Sequence, residues 1–382
     1  MNTSITKKIR VAILSDVMDR RPERTLVAKR FVEQVVKNPE FEVTLVHFKK
    51  MTDEPLYDVA HEIIIPRISL PWGAQFASFM WWCLRTKERF DIFHWFVPRL
   101  YPFFWLVPAK KLVVTAYGGG AVTAGGIFTL PKFFFNFVLR HFNRYLSAVI
   151  GSSDFGRDEI AFAYRVPKPK LFSIYVGTDA VYRPIQAAER KEILSRLRLP
   201  ENPYFLYVGG LQTHKNVHGL IDAFSIFRKD NPSRSEKLVI VGRASYGASE
   251  VNEALKRSEY AKDVLFIDYV ALSDMPAVYS GALALILASF NEGLGLPLVE
   301  AMACATPVIG ANAASIPEVM GGAGLLVNPF EVRDIARVMG KLAGDEALQK
   351  ELSKRGIERA KYFTWEKHAE EIMALYKKLL SQ

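Results

Sequence analysis

The sequence predicts an α/β fold built from two doubly wound, parallel-sheet domains. Three observations carry this. The chain has 382 residues, 50% of them hydrophobic, which is more than a single core of ordinary size encloses. Apolar runs of strand length alternate with helix-forming stretches throughout, as parallel strands buried on both faces require. The alternation also restarts after a charged, proline-flanked segment from Arg183 to Pro203.

In the first half the predicted strands are Ile9 to Ser15, Phe41 to Phe48, Ile63 to Pro66, Asp91 to Trp95, Lys111 to Thr115, Ala148 to Ser152 and Lys170 to Tyr175. In the second they are Tyr204 to Gly209, Lys237 to Gly242, Val264 to Ile267, Ala284 to Leu287 and Pro307 to Gly310. The Arg183–Pro203 segment reads as a bridge between them. This places one domain over residues 1–185 and a second over 186–363. An amphipathic closing helix, residues 364–382, is expected to pack back on the first. Open α/β sheets bind ligands beyond the carboxyl ends of their strands, so the two domains are expected to face a central cleft. No short repeat is visible.

Charge is uneven. The net charge is +10. Met1 to Ile185 holds 26 Lys and Arg against 16 Asp and Glu, and the remainder 24 against 24, so the whole excess lies in the first half. That half also holds the aromatic runs Phe79–Trp82, Tyr101–Trp105 and Phe133–Phe137. Aromatics beside Arg140, His141 and Arg144 suit an interfacial helix on an anionic membrane, and equally a large core with a solvated basic face. No basic run or motif points to nucleic acid. Leu112 to Pro131 lacks charge, but its glycines and threonines make it a strand plus a loop rather than a membrane span. The first ten residues have no apolar signal core. Cys83 and Cys304 stand in apolar surroundings and give no disulfide framework, which favours a reducing compartment.

The motif richest in chemistry is Glu292-Gly293-Leu294-Gly295-Leu296-Pro297-Leu298-Val299-Glu300. Its first acid falls on a loop and its second on a helix that Pro297 helps to start. The glycines admit close approach of backbone N–H groups, and a helix N-terminus favours an anion. Donors for phosphate and carboxylates for sugar hydroxyls together suit a nucleotide-sugar. Lys215 follows a strand in Gly209-Gly210-Leu211-Gln212-Thr213-His214-Lys215-Asn216, where it opposes the dipole of the next helix unless a diphosphate binds; Asn216 is a candidate N-cap. Arg243 ends a strand and is the nearest second cation. Tyr269 and Val270, at another strand end, are candidates to pack near the base. Glu318 fits a Ser-x-x-Glu cap with Ser315. His94, on an apolar strand, reads first as a hydrogen-bonded core residue. His214 and His218 lack a third ligand, so no metal site is predicted. Walker, dinucleotide-fingerprint, serine-elbow and zinc patterns are absent from the sequence.

These residues resemble the retaining group 1 glycosyltransferases, family 4, of the GT-B architecture. Glu292 and Glu300 match the family's E-x7-E signature, Val208 through Asn216 its phosphate loop, and Ser289 to Val319 most of its nucleotide-sugar domain. Ser152-Ser153-Asp154, Val176-Gly177-Thr178-Asp179 and Phe363-Thr364-Trp365-Glu366 extend the resemblance toward both ends. It implies two Rossmann-like domains and transfer from a UDP- or GDP-linked sugar to a polysaccharide, lipopolysaccharide or lipid-linked acceptor, with retention. Lys215 would neutralise the departing diphosphate. Glu292 with the backbone of Gly293, Leu294, Gly295 and Leu296 would hold the sugar, and Glu300 the ribose. Gly209, Gly210, Arg243 and Val270 complete the expected donor site; Tyr117, Gly118 and His94 are expected on the acceptor side. The family needs no metal or cofactor, because front-face attack lets the donor phosphate take the acceptor proton. The expected setting is cytoplasmic, peripheral on the inner membrane face, with the oligomeric state left open. Other readings are an epimerase of the same architecture and a degenerate nucleotide-sugar-binding scaffold.

The chain departs from the family at several positions. Gly210 or His214 stands where arginine is frequent, so either the diphosphate meets one cation fewer or Arg243 substitutes. Tyr117 stands where a cleft histidine is common. Ala305 replaces a glycine and is expected to change packing only slightly. Asp16 to Thr25 is basic in place of the usual glycine loop.

Overall fold

A computed structural model describes residues 7–14, 22–49, 56–68, 74–96, 104–116, 137, 140–201, 203–243 and 248–382. The chain forms two compact units, Met1–Gly177 with Trp365–Gln382, and Thr178–Thr364.

The first unit has strands β1 (Ile9–Leu14), β2 (Phe41–His47), β3 (His61–Ile64), β4 (Phe90–Trp95), β5 (Ala109–Ala116), β6 (Ala148–Gly151) and β7 (Leu171–Ser173). They lie in the order β3-β2-β1-β4-β5-β6-β7, and all pairs are parallel. Alternate residues serve opposite faces, as the strand period demands. Val11, Ile13 and Ile92 join Phe31 and Tyr376 in a core under helices Pro22–Val35 and Trp365–Leu380. Ala12, Leu14, Phe93 and Trp95 join Phe79 and Trp82 of helix Ala74–Arg85 in the other. The helix Asp154–Tyr164 starts where Ser153 accepts the N–H of Gly156 at 2.9 Å, a side-chain N-cap. Among the described residues, no helix is long and apolar enough to cross a membrane.

The second unit has β8 (Tyr204–Val208), β9 (Leu238–Val241), β10 (Val264–Ile267), β11 (Ala282–Leu287), β12 (Val308–Ala311) and β13 (Leu325–Val327). All pairs are parallel, in the order β10-β9-β8-β11-β12-β13. The order reverses between β8 and β11. Loops leaving the carboxyl ends of those two strands diverge to opposite faces and open a crevice, the usual ligand position of such sheets.

The units divide at Gly177 rather than the expected Ile185. Thr178 donates its N–H to Phe363 O at 2.9 Å and bridges Thr364, which fixes this stretch to the second unit. The Arg183–Pro203 segment is no free bridge either. Its helix Ala187–Arg196 is held by Arg190 Nη1 donating to Ser280 O (3.1 Å) and Arg196 pairing with Asp274 (2.7 Å). Strand β13 is too short and too interrupted by glycine for the apolar-run criterion to find.

Candidate functional site

The loop after β8 begins at Gly209, whose N–H donates to Val241 O at 2.9 Å. Its carbonyl lies against Gly242 at the end of β9: a Cβ on Gly242 would stand 1.8 Å from Gly209 O. No side chain fits there, so glycine is required for the two strand ends to close. Tyr207 donates its hydroxyl to Gly210 O at 2.7 Å. A 3-10 turn, Thr213–Lys215, then presents Lys215.

Asn216 ends that turn with φ 56° and precedes helix Val217–Asp230. Its side chain makes no cap hydrogen bond, contrary to expectation. The backbone is left-handed there, which removes the extended geometry an N-cap uses. Asn216 Nδ2 instead donates to Ala288 O (3.0 Å) and Pro329 O (2.8 Å), tying this loop to those that follow β11 and β13. Phe290 N–H donates to His214 O at 2.8 Å and makes a second tie.

These ties bring Lys215 against Glu292. Lys215 Nζ donates to both carboxylate oxygens, each at 2.7 Å. The side chains are 22% and 9% exposed. Ser289 Oγ donates to Glu292 Oε1 at 2.9 Å. Ser315 Oγ donates to Glu292 O at 2.8 Å and makes no cap bond to its own helix. The Ser315 half of the expected Ser-x-x-Glu cap is therefore missing, because its hydroxyl is spent on the acid loop. Burial, and then Lys215, lower the His214 pKa, with Glu292 opposing. Burial first, and Glu292 second, raise that of Tyr207.

Gly295 has φ 85° and precedes helix Leu296–Ala303, with Pro297 in its first turn. A left-handed residue there turns the chain sharply from the acid loop into the helix, at little strain for glycine. Leu294 is buried, and Gly293 and Leu296 are half-buried. The first turn of this helix presents N–H groups without intrahelical partners, the usual place for an anion.

Glu300 does not join the Lys215–Glu292 pair. Its Oε2 accepts the hydroxyl of Tyr279 at 2.5 Å. Burial raises its pKa, Tyr279 and Tyr182 oppose the rise, and Asp179 adds to it. Arg243 is exposed just past Gly242. Val270 is buried, while Tyr269 is exposed.

Two acceptor-side residues, Tyr117 and Gly118, lie outside the described residues, as do Phe133 to Asn136 and Asp16 to Arg21. His94 is a correction to the acceptor set. It is fully buried between Tyr376 OH (2.5 Å from Nδ1) and Thr115 Oγ1 (2.8 Å from Nε2), with Phe96 packed on its ring at 4.1 Å. With both nitrogens engaged inside the core, it offers nothing to a ligand. Ala305 is also more than a packing change, since it holds φ 62° in the turn after helix Leu296–Ala303. The glycine it replaces would relieve that geometry.

Sequence reasoning missed Ser289, Ser315, Tyr279 and Tyr182 at the two acids. Ser289 and Ser315 flank strand ends and so carried a positional signal. The tyrosines lie far from Glu300 in sequence and carried none.

Two doubly wound parallel units, one with a glycine turn, a lysine and an acid at its switch point, make up the GT-B fold shared with the solved neighbour given below. Residues 189–378 match the family model described as "Glycosyl transferases group 1". The chain belongs to that family. It is 29% identical over 260 residues to the O-antigen chain mannosyltransferase B of Escherichia coli, spanning 66% of this chain and 68% of that protein. It is 27% identical over 225 residues to the serotype-specific mannosyltransferase WbdA of Escherichia coli, which is 57% of this chain but 27% of that longer protein. HepE of Anabaena, solved with UDP and glucose, aligns with a TM-score of 0.76 at 18% identity over 97% of this chain and 100% of that one. This last likeness concerns the fold alone.

Proposed function

We propose that this protein transfers a hexose, with mannose the leading candidate, from a UDP- or GDP-linked sugar to an O-antigen-type polysaccharide or another lipid-linked glycan, with retention. The observation that carries the reading is the Lys215–Glu292 pair at the switch point of the second sheet. The names of the mannosyltransferase relatives support the sugar and the acceptor class.

The chemistry follows from the charges. An arriving diphosphate draws Lys215 Nζ away from the carboxylate and is held by it and by N–H groups at Gly295 and Leu296. Glu292, released, accepts the sugar hydroxyls. The acceptor hydroxyl forms the new C–O bond at the anomeric carbon on the face that the diphosphate leaves. The bond to the phosphate oxygen breaks, and that oxygen takes the acceptor's proton. Negative charge grows on the leaving phosphate, and fixed donors aimed at it lower the barrier. Glu300 takes the ribose, and Arg243 supplies a second cation. The reaction has no metal or cofactor step. The relatives are transferases, so the epimerase reading is set aside.

The test is a thermal-shift panel of UDP-, GDP-, ADP- and dTDP-sugars followed by turnover on glycan acceptors. A bound donor at a hundredfold excess over Kd stabilises by about 2.7 kcal/mol. A panel in which no sugar nucleotide raises Tm overturns the proposal.

The acceptor side is proposed to meet an anionic lipid surface. Helix Ala74–Arg85 buries one face, yet exposes Phe76 (46%), Trp81 (42%) and Leu84 (67%) on the other. Arg85 sits over the Trp81 ring at 5.0 Å. Beyond the helix end, Lys7, Arg10, Arg89 and Lys110 line a cavity of ≈ 630 Å³ together with Asp91. Glu88 and Glu42 pair with Arg10, and Asp91 with Lys110. An apolar face with a cationic rim suits insertion among acidic headgroups. Co-sedimentation with phosphatidylglycerol vesicles is expected to fall with salt and with Leu84→Asp. Binding that is absent, or indifferent to both, rejects this surface.

A further inference from the structure

Glu300 lies on helix Leu296–Ala303, with one carboxylate oxygen already committed. Tyr279, fully buried on helix Met275–Gly281, donates its hydroxyl to Oε2 at 2.5 Å. Tyr182 meets the Tyr279 ring edge-on, centroids 5.8 Å apart, and opposes the rise of the Glu300 pKa alongside it. Tyr279 is itself pinned, since Thr306 Oγ1 donates to its carbonyl at 2.6 Å. A glutamate has three rotatable bonds, and a half-buried one without partners wanders among rotamers. Fixing one oxygen through a rigid phenol removes that freedom and leaves Oε1 to accept from a ligand.

We propose that Tyr279, assisted by Tyr182, is a positioning residue for the nucleoside: it clamps Oε2 of Glu300 so that Oε1 meets the ribose hydroxyls. This rests on the reading of Glu300 as the ribose acceptor. The clamp also opposes the rise that burial gives the Glu300 pKa. The groups that face Glu300 are Tyr279, Tyr182, Asp179 and Cys304. The two phenols lower its pKa, burial and Asp179 raise it, and Glu300 in turn raises the Cys304 thiol. Both phenols are themselves held above their ordinary pKa by burial and by Glu300, so they remain donors. Losing the Tyr279 hydroxyl therefore does two separable things. It frees the carboxylate to move, and it makes the carboxylate protonate at higher pH.

The experiment measures calorimetric affinity for UDP and GDP, and for the 2′,3′-dideoxy form of whichever binds. It compares the intact chain, Glu300→Gln and Tyr279→Phe between pH 5 and 8. The intact chain is expected to prefer the ribose form by about tenfold, the scale of one charge-assisted hydrogen bond. Glu300→Gln loses that preference. Tyr279→Phe loses most of it, leaves dideoxy affinity unchanged, and moves the acid limb of ribose-form binding to higher pH. Tyr182→Phe acts in the same direction more weakly and replaces Tyr279→Phe should that variant not fold. An unaltered preference and pH profile in folded phenylalanine variants, with the preference lost in Glu300→Gln, overturns the clamp alone. An intact chain that binds both forms equally overturns the ribose reading of Glu300 and the clamp with it.

Discussion

Glu292→Gln is expected to tighten nucleoside diphosphate binding while slowing transfer by about a hundredfold or more. Both oxygens of Glu292 hold Lys215 at 2.7 Å, with side chains 22% and 9% exposed. Exposed pairs are worth about 0–1 kcal/mol, and breaking a buried pair costs about 3–5 kcal/mol. This pair sits between those limits, so a value of about 1–2 kcal/mol is reasonable. A diphosphate that recruits Lys215 must first overcome that attraction, and it must also approach the Glu292 charge. Glutamine keeps the shape and the hydrogen bond from Ser289 but removes both obstacles. Kd for UDP or GDP should fall by roughly fivefold to thirtyfold, since 1.4 kcal/mol is a factor of ten. Transfer should drop by about a hundredfold or more, the usual loss when a group that stabilises transition-state charge is removed. Calorimetry with the diphosphate alone, and initial rates with the sugar nucleotide, separate the two effects. Lys215→Ala is the control and should weaken the diphosphate at least about tenfold. Weaker or unchanged diphosphate binding in Glu292→Gln would refute the exchange of partners, because Lys215 would then have no competing claim to leave.

Three further outcomes follow. His368, buried, has its pKa lowered from 6.5 to about 4, and His94 is lowered well below 6.5, both chiefly by burial. Neutral histidines in the fold and protonated ones in the unfolded chain mean that stability is fully present above about pH 6.5 and lost as pH falls toward 4. His368 alone contributes about 3 kcal/mol to that loss, readable from urea midpoints across the range. Gly242→Ala forces a Cβ onto Gly209 O and should cost about 4 kcal/mol or more; soluble, normally melting protein would contradict the close approach. Ala305→Gly relieves a left-handed φ of 62° and should stabilise by about 0.5–1 kcal/mol, the penalty removed less the added chain entropy. An unchanged or lower urea midpoint would count against that strain.

The fold was legible because parallel strands buried on both faces leave uninterrupted apolar runs. Tyr204 to Val208 and Ala282 to Leu287 announce themselves in that way. β13 did not, since Leu325–Val327 is three residues long and leaves Leu326 exposed. At the site, Lys215 and Glu292 could be paired from sequence because each follows a strand and strand ends converge. His94 is the core residue its apolar strand suggested, and only the acceptor-side role implied by the resemblance fails. A histidine near a strand end can turn toward a ligand or into the core, and the choice was made by Tyr376, 282 positions away. The tyrosines at Glu300 are of the same kind. Their partner is set by how helices pack, and local spacing holds no trace of it.

The arrangement of hydrogen bonds explains how one pair of charges can be exchanged without moving the loops that carry them. Asn216 holds Ala288 O and Pro329 O, Phe290 N–H holds His214 O, and Ser315 holds Glu292 O. All four bonds end on backbone carbonyls, and none uses the Lys215 ammonium or the Glu292 carboxylate. The backbone on both sides of the switch point is therefore fixed independently of those side chains. When a diphosphate replaces the carboxylate as partner of Lys215, only side-chain torsions need change. A site held in this way avoids most of the ordering entropy that loop closure would demand at the moment of binding. The same logic makes Asn216 the residue whose loss should spread furthest. Without its amide, two buried carbonyls lose their donor, and the β8 loop then leans on the Phe290 N–H bond and on the Lys215–Glu292 pair itself.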